Sequence, residues 1–419
     1  MAPADTWPAP PEPRTGPAPP AHVDVEVAIL GGGIHGAALA RELTLRGVPS
    51  ALVDVGALGG GTSQWSSQLL HGGIRYMLTG DYHQMKEGLA ERATWARIAP
   101  WRTKWEAFWM PHKGFFEGFS HRVGIGLYDA WGSERPGWPE DLELGAVSDE
   151  EFGADPRSRN GRFTGAVAYA DLCTWDRALV KDLAASSDAV RLDFHEVLAF
   201  KESGGRLESA KLKDRRDGTT RTLEAEHWVF ALGPWTDGAM KEWFGETRKR
   251  LRLSSGIHLW FDAPELLNDG CRRPWAILRG GGRILFVIPR DGLLQVGTTE
   301  REVKDGWVPI VKSERDELFQ ALETRLPSIP WRKLPVAFEE LGVRPLVKAR
   351  GNAGTDRLSR EAVLEHHRRF SNLRLVLGGK LTTARALMDR LAGELTGLEC
   401  PESRTVPLRK WDGQLGQGR

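Results

Sequence analysis

The sequence predicts an α/β fold in which a parallel sheet is interleaved with an antiparallel β part. Two observations carry this prediction. From Val23, an apolar strand runs into a glycine turn, a helical stretch and a second strand, which is one βαβ unit and implies parallel strands. Between residues 251 and 299, strand patterns are separated only by Gly-rich or Asp-Gly turns, which favours antiparallel pairing.

The elements follow in order along the chain. IHGAALARELTLRG has helical Ala and Leu spacing and stops at Gly47, and PSALVDV is the next strand. RRDGTT predicts a hairpin turn between two later strands, and the apolar spacing becomes helical at 312–326 and 381–395. Trp101, Trp105 and Trp109 recur at i, i+4 and i+8, which predicts a buried helix face, with membrane dipping or ligand stacking as the alternative.

The chain of 419 residues is long enough for two or three structural units. Residues 1–22 are rich in Pro and Ala without apolar periodicity, so we expect a disordered tail there. We assign 23–110, 165–250 and 340–400 to the discontinuous parallel domain, 111–164 and 251–339 to the antiparallel domain, and 401–419 to a C-terminal tail.

Composition excludes several classes of function. Lys and Arg number 57 against 56 Asp and Glu, so bulk charge indicates no nucleic-acid partner. Cys173, Cys271 and Cys400 form no metal-ligand or disulfide pattern, so we expect no metal and a reducing, cytoplasmic setting. No apolar run approaches the roughly 18 residues of a spanning helix, and no signal peptide is expected, so any membrane contact would be peripheral.

The segment GGGIHG, Gly31 to Gly36, fits G-x-G-x-x-G between a strand and a helix, and Asp54 closes the second strand. Glycines permit a tight turn that brings a diphosphate onto the helix N-terminus, and the aspartate would accept ribose hydroxyls. A purely structural turn is the alternative. The turn alone does not choose between FAD and NAD. GALGGGTSQWSS after the second strand and the later GGKLTT before a helix favour FAD in a Rossmann-like domain.

Seven stretches resemble, in order, the FAD-dependent glycerol-3-phosphate dehydrogenases of the D-amino-acid-oxidase-like flavoprotein superfamily. They are GTSQWSSQLLHGGIRYMLTGDYHQMKEGLAER, VFALGPWTD, SSGIHLWF, RILFVIPRDGLLQVGTTE, LGVRPLV, LSRE and LVLGGKLTTAR. The resemblance spans Val23 to Gly397. We expect the family's usual C-terminal helical domain to be lacking here. Gln68 stands where the family commonly has lysine.

The resemblance implies non-covalently bound FAD and a set of site residues. The cofactor contacts expected are Gly31, Gly33, Gly36, Asp54, Gly61, Thr62, Ser63, Ser66, Ser67, His71, Gly72, Gly73, Gly233, Gly378, Gly379, Lys380, Leu381 and Thr382. The substrate contacts expected are Arg75, Tyr76, Arg360 and Lys380, and the catalytic residues are His258 and Arg344.

The chemistry of these residue types agrees with a small phosphorylated secondary alcohol. Guanidinium and ammonium groups hold a phosphomonoester by charge-assisted hydrogen bonds, for which Arg360 and Lys380 are the candidates. Oxidation sends the C2 hydrogen to flavin N5 as hydride while the hydroxyl loses a proton, so His258 is the expected base and Arg344 the stabiliser of the alkoxide. The alternatives without a catalytic role are that His258 is a hydrogen-bonded structural residue and that Arg360 is a solvated surface charge.

Electrons would then pass to a quinone or another acceptor. The segment WMPHKGFFEGFSHRVGIGLYDAWG mixes Trp, Phe, Lys and Arg, which fits either a peripheral membrane contact or a cap packed on itself.

Two rival functions remain: an amine or amino-acid oxidase of the same superfamily that uses O₂, and a catalytically silent flavin-binding scaffold. The clustering of Arg75, Arg344, Arg360 and Lys380 argues against the oxidase, because one carboxylate rarely needs so many cations.

Overall fold

Two β-sheets with helices packed around them make up the computed structural model. It describes residues 10–14, 18–74, 76, 81–159, 162–279, 283–348 and 362–411. The strands are β1 His22–Leu30, β2 Ser50–Val53, β3 Leu69–Leu70, β4 Thr103–His112, β5 Gly145–Ala146, β6 Gly165–Thr174, β7 Val190–Leu192, β8 His195–Ser203, β9 Arg206–Asp214, β10 Thr220–Phe230, β11 Leu251–Phe261, β12 Trp275–Arg279, β13 Arg283–Arg290, β14 Leu293–Gly297, β15 Arg301–Val303, β16 Val336–Val347, β17 Val363–His366 and β18 Leu373–Leu377. The helices are α1 Ile34–Leu45, α2 Tyr82–Ile98, α3 Gly114–Trp131, α4 Asp149–Ala154, α5 Asp176–Ala185, α6 Thr236–Phe244, α7 Pro264–Asn268, α8 Lys312–Arg325 and α9 Ala384–Thr396.

The first sheet has the order β17-β18-β10-β1-β2-β7. Strands β18, β10, β1, β2 and β7 run parallel, as the βαβ unit predicts. Helix α1 connects β1 to β2, and its Ala and Leu side chains are buried against α5 and α9. A helix that is apolar on nearly all sides is buried on nearly all sides, which explains why α1 lies between its neighbours. The predicted hairpin is confirmed, because β9 pairs antiparallel with β10.

The second sheet has the order β15-β11-β14-β13-β12-β4-β6-β3, with β16 on β11 and β5 on β6. Neighbouring strands in this sheet run antiparallel, except β12 and β4, which run parallel to each other. The predicted combination of a parallel and an antiparallel part is therefore confirmed. Strands β4 and β6 lie in this sheet, although residues up to 110 and from 165 were assigned to the parallel domain. A strand pattern identifies a strand but not its partner, so such boundaries depend on long-range pairing.

The predicted tryptophan helix is wrong. Trp105 and Trp109 lie on strand β4, and Trp101 lies in the turn before it. Residues four apart share a face in a strand as well as in a helix, so this spacing fits both. Trp105 and Trp109 are buried, and the half-buried Trp101 donates its indole N–H to Asp182 Oδ2 at 2.8 Å. All three tryptophan side chains therefore pack against the protein rather than against a membrane.

Part of the Pro-rich tail is held on the domain, in contrast to the expected disorder. Arg14 pairs with Asp214, and the carbonyl oxygens of Pro19 and Pro20 accept hydrogen bonds from Arg221. An extended Pro-rich chain makes no internal hydrogen bonds, so its carbonyls are available to a neighbouring guanidinium. Within the described ranges, no helix is long and apolar enough to cross a membrane.

Candidate active site

A cleft of about 1270 Å³ lies where the two sheets meet the glycine turns. The predicted cofactor and substrate residues that line it are Gly31, Gly33, Asp54, Gly61, Thr62, Ser63, Ser66, Ser67, His71, Gly233, Arg344, Gly378, Gly379, Lys380, Leu381 and Thr382. Gly36, Gly72, Gly73, Tyr76 and His258 are predicted residues that do not line it. Arg75 and Arg360 lie outside the described residues. Segments far apart in the chain therefore converge on one cavity.

The first glycine turn is tight because backbone occupies the space of the missing side chains. Gly31 has a φ of +107°, and a Cβ built on it would stand 2.3 Å from the carbonyl oxygen of Ala231. A Cβ on Gly36 would stand 1.8 Å from the carbonyl oxygen of Gly31. Gly36 thus lets α1 press against the turn, which explains why it does not face the cleft. The N-terminus of α1 then opens toward the cavity, as diphosphate binding requires.

Asp54 holds this turn with both carboxylate oxygens. The backbone N–H of Gly32 donates to Oδ2 at 2.6 Å, and that of Gly56 donates to Oδ1 at 2.7 Å. Burial raises the pKa of Asp54 to about 6, while these two amide hydrogen bonds lower it. Each oxygen keeps a second lone-pair direction, so ribose binding remains compatible with this role. The sequence indicated the ribose contact but not the brace across the turn.

The segment 61–68 lies against the start of α1 and crosses to the second sheet. Ser63 Oγ accepts the Ile34 N–H at 2.9 Å, which caps the helix from a distant loop. Asp176 Oδ2 accepts from the backbone N–H and the hydroxyl of Ser66, at 3.1 and 2.9 Å. Sequence reasoning did not single out Asp176, which begins α5 far along the chain.

Gln68 has a φ of +54°, which is uncommon for a residue with a side chain. The buried Arg290 guanidinium explains the conformation, because it donates to the Gln68 side-chain oxygen, to the Gln68 carbonyl and to the Thr174 carbonyl. A lysine at position 68 has no acceptor and could not make the first of these bonds. Arg290 is therefore a partner that a glutamine at position 68 suits.

The second sheet presents a polar face to the cleft and an apolar face to its own core. Ile257, Leu259 and Phe261 of β11 point into the core, so the alternate residues Gly256 and His258 point the other way. Arg344 of β16 lies across Gly256 and donates from Nη2 to Thr298 Oγ1 at 2.9 Å. A Cβ on Gly256 would stand 2.5 Å from that nitrogen, so this glycine leaves room for the guanidinium.

His258 lies one layer behind the cavity wall. Its Nε2 is 3.1 Å from the hydroxyl of Ser67, which does line the cleft. Burial, and secondarily the nearby charges of Arg344 and Arg290, lower the pKa of His258 to about 3. The imidazole is therefore neutral at neutral pH, and Ser67 separates it from the cavity.

The second glycine turn joins β18 to α9 and meets the first. Gly379 has a φ of +100°, and a Cβ built on it would stand 2.4 Å from the ring of His35. Burial lowers the pKa of His35 to about 4, so this ring is a neutral packing surface. Lys380 follows, with its Nζ 2.5 Å from Gln84 Oε1 and 4.1 Å from the ring centre of Tyr76. Tyr76 thus contacts the cleft through the lysine.

The last two predicted glycines serve a packing role in the described structure. A Cβ on Gly72 would stand 2.4 Å from Leu89 Cδ2 on α2, and a Cβ on Gly73 would overlap the Tyr76 ring. Their absence of side chains lets the segment after β3 pass close beneath α2.

The residues around the cleft fit FAD. The cavity has room for an extended dinucleotide, the α1 N-terminus and its glycines suit a diphosphate, and Asp54 suits a ribose. When bound, FAD supplies an acceptor for a hydride, that is, for two electrons and a proton. Among the described residues, no group of His, Cys, Asp and Glu is arranged to hold a metal ion.

Comparisons with known proteins agree with this geometry. The chain is 28% identical over 408 residues to an aerobic glycerol-3-phosphate dehydrogenase of Staphylococcus epidermidis, which covers 94% of this chain and 72% of that relative. A glycerol-3-phosphate dehydrogenase from Bacillus halodurans complexed with FAD superposes with a TM-score of 0.69 at 24% identity, over 91% of this chain and 67% of that one. The L-α-glycerophosphate oxidase of Mycoplasma pneumoniae with FAD bound superposes with a TM-score of 0.66 at 18% identity, over 94% and 98% of the two chains.

The sequence also matches, over residues 26–386, the family described as DAO, FAD dependent oxidoreductase. That match includes both glycine turns, Asp54, His258 and Arg344. The chain therefore belongs to the DAO family of FAD-dependent oxidoreductases.

Proposed function

We propose that this enzyme oxidises glycerol 3-phosphate, or a closely related small phosphorylated secondary alcohol, to the ketone and passes the electrons to a quinone or another acceptor. The observation that carries the proposal is the pair of cations that line one cleft from different elements, Arg344 from the second sheet and Lys380 from the turn after β18. A dianionic phosphate and a developing alkoxide together present the negative charge that such a pair suits. The similarity to the Staphylococcus epidermidis relative supports the same substrate class.

In this proposal the chain divides the work among three groups. Lys380 binds the phosphate, together with Arg360 and Arg75, which belong to the same predicted set. Arg344 lies beside the reacting oxygen and stabilises its negative charge as the proton leaves. Ser67 and His258 take up that proton: the substrate hydroxyl gives its proton to Ser67 Oγ while Ser67 gives its own to His258 Nε2, 3.1 Å away.

Anaerobic mixing of the FAD-loaded protein with candidate substrates tests the proposal through the flavin absorbance. Glycerol 3-phosphate is expected to bleach the oxidised flavin, whereas glycerol at the same concentration leaves it oxidised. Bleaching by an amino acid and not by glycerol 3-phosphate would instead establish the oxidase. A flavin that no hydroxy or amino substrate reduces would support the silent scaffold.

Lys380→Gln is expected to raise the KM for glycerol 3-phosphate about 10- to 100-fold, because a hydrogen bond to a charged group contributes about 1.5 to 3 kcal/mol. FAD is expected to stay bound through its other contacts, and the flavin absorbance of the purified variant checks this. Steady-state kinetics over a range of substrate concentrations give the KM. Lys241→Gln, on the exposed side of α6, is the control for loss of a positive charge. An unchanged KM in Lys380→Gln would remove this residue from the phosphate site.

A peripheral membrane contact through α3 belongs to the same proposal, since a quinone acceptor is a membrane lipid. Phe115 and Phe116 are 75% and 85% exposed, and Phe119, Val123 and Leu127 extend the exposed apolar face along the helix. Lys113 and Arg122 lie exposed on the same segment and suit anionic headgroups. Exposed apolar residues that recur along one helix mark an interaction surface more often than isolated ones do.

We expect the double variant Phe115→Ser/Phe116→Ser to reduce binding to anionic lipid vesicles at least about tenfold, because burial of each phenyl ring contributes about 1.5 to 3 kcal/mol. Vesicle co-sedimentation measures the bound fraction. Leu398→Ser, at a residue 50% exposed elsewhere on the surface, is the matched control. Equal vesicle binding by the wild type and the double variant would contradict the contact, whereas activity with a water-soluble electron acceptor should be the same in both.

A further inference from the structure

A group of buried polar side chains lies behind His258 on the polar face of the second sheet. In the strand register, His258 of β11 is paired with Glu340 of β16, and Trp260 of β11 is paired with Gln295 of β14. Directly paired residues share a face of a sheet, as do residues two apart on one strand. His258, Trp260, Gln295 and Glu340 therefore lie on the same face of the sheet.

These side chains are buried, and their hydrogen bonding to one another is incomplete. Glu340 is 6% exposed, and His258, Trp260 and Gln295 are more deeply buried still. Within the described ranges, Glu340 Oε2, His258 Nδ1, Trp260 Nε1 and both amide atoms of Gln295 have no hydrogen-bond partner of good geometry. The Trp260 indole and the Gln295 amide nevertheless lie close enough to the Glu340 carboxyl to lower its pKa by weak hydrogen bonding. Each unpaired buried polar atom costs about 1 to 3 kcal/mol, and ordered water is the usual partner in such places. The cluster thus suits one or more bridging waters between Nδ1 and the carboxyl.

The environment of Glu340 brings the pKa of its carboxyl close to neutral pH. Burial, aided by Asp176 on α5, raises the pKa of Glu340 to about 7, while the adjacent Trp260 indole, Arg290 on β13 and the Gln295 amide lower it. His258, the facing group on β11, is neutral because its own pKa is near 3. A carboxyl with this pKa gains or loses a proton with little cost near neutral pH.

His258 presents a difficulty as a base on its own. Burial and the charges of Arg344 and Arg290 disfavour its imidazolium form, so it would hold the substrate's proton poorly. The difficulty disappears if one ring nitrogen gains a proton as the other loses one, because the ring then carries no net charge. Nε2 faces Ser67, and Nδ1 is the atom left for a partner on the far side.

We propose that Glu340 receives the proton that the substrate hydroxyl loses, with His258 as the carrier between them. This inference rests on the proposed oxidation of an alcohol. The O–H bond of the substrate breaks and its proton passes through Ser67 to Nε2. The Nδ1–H bond breaks, and through a bridging water its proton bonds to the Glu340 carboxylate, which becomes the neutral acid. The two electrons and the C2 hydrogen leave to FAD as hydride, so charge and atoms balance.

The protonation of Glu340 is tested without any substrate by infrared spectroscopy of the FAD-loaded protein. Buried carboxyls such as Asp54 contribute a common background, so the signal is the difference between the wild-type and Glu340→Gln spectra, which is expected to contain one protonated-carboxyl C=O band that titrates near neutral pH. Glu339→Gln is the matched control, because Glu339 lies next to it on β16 but pairs with Arg315. A difference spectrum without a titrating C=O band, or the same band lost in Glu339→Gln, overturns the assignment.

Rapid anaerobic flavin reduction by glycerol 3-phosphate tests the relay itself. In the wild type the rate is expected to rise as the pH passes through about 7, where Glu340 becomes the carboxylate acceptor. In Glu340→Gln the rate should fall about 10- to 100-fold and lose this pH dependence, in line with the usual contribution of proton transfer. Glu340→Asp should recover part of the rate and the pH profile, and Glu339→Gln should behave as the wild type.

The proposed alcohol oxidation and the proposed proton relay are contradicted by different results. A wild-type flavin that glycerol 3-phosphate does not reduce contradicts the proposed function, while the carboxyl titration still decides whether Glu340 exchanges a proton near neutrality. Normal flavin reduction with an unchanged pH profile in Glu340→Gln contradicts the relay and leaves the proposed function in place.

Discussion

Replacing Gly31 with alanine is expected to abolish FAD binding and to lower the free energy of unfolding by about 2 to 5 kcal/mol. The new methyl group would stand 2.3 Å from the Ala231 carbonyl oxygen at the end of β10, so either the turn or that strand end must move. The φ of +107° adds backbone strain for any residue with a side chain. The flavin absorbance of the purified protein and urea unfolding measure the two effects.

Gly47→Ala is the matched control for this prediction. Gly47 also has a positive φ, +71°, but a Cβ built on it meets nothing within 4 Å. The control therefore introduces the backbone strain alone, and we expect it to retain FAD with a loss of about 1 kcal/mol. If Gly31→Ala binds FAD as well as Gly47→Ala does, the close contact with Ala231 does not shape the cofactor site.

His258→Asn is expected to slow flavin reduction by glycerol 3-phosphate about 100-fold or more while FAD stays bound, because the variant removes the proton carrier and not a cofactor contact. Stopped-flow measurement of the anaerobic reduction rate gives the effect. Ser67→Ala should also slow the reaction if the proton passes through its hydroxyl. A wild-type rate in His258→Asn would exclude His258 from the chemistry.

The His258→Asn variant should also change how the free energy of unfolding depends on pH. The pKa of His258 falls from 6.5 to about 3 on folding, so below about pH 6.5 the unfolded chain takes up a proton that the folded protein refuses. This contribution destabilises the wild type by about 2 kcal/mol between about pH 7.5 and about pH 5, and His258→Asn lacks it. Urea unfolding at the two pH values should therefore show a smaller acid loss in the variant. An equal loss would mean that the folded protein protonates this ring readily.

Much of the fold could be predicted because local patterns decided it. The strand, glycine turn and helix from Val23 to Gly47 form as the spacing indicates, and so does the hairpin between β9 and β10. The tryptophan stretch failed because an interval of four residues is common to strands and helices. The assignment of β4 and β6 to the parallel part differed from the structure because pairing partners lie far away in the chain.

The candidate site likewise contains residues that a local sequence pattern predicts and residues that no local pattern predicts. Glycines 31 and 36 could be found from a short motif, since the chemistry depends on spacing within one turn. Asp176, Arg290 and Glu340 could not, because each meets its partner across the sheet or from another element. Asp176 bonds Ser66, Arg290 bonds Gln68, and Glu340 lies opposite His258 in the strand register. No local pattern marks such residues as special: an isolated acidic or basic side chain in a strand is ordinarily a surface charge.

The contact between His35 and Gly379 bears on how the enzyme acquires its cofactor during synthesis. The two glycine turns that border the cleft are separated by most of the chain, yet they pack directly on each other. A nascent chain emerging from the ribosome would present the first turn early, while the part of the cleft wall at residues 378–382 is still missing. The complete FAD cleft therefore forms only after β18 and α9 have docked against the first turn.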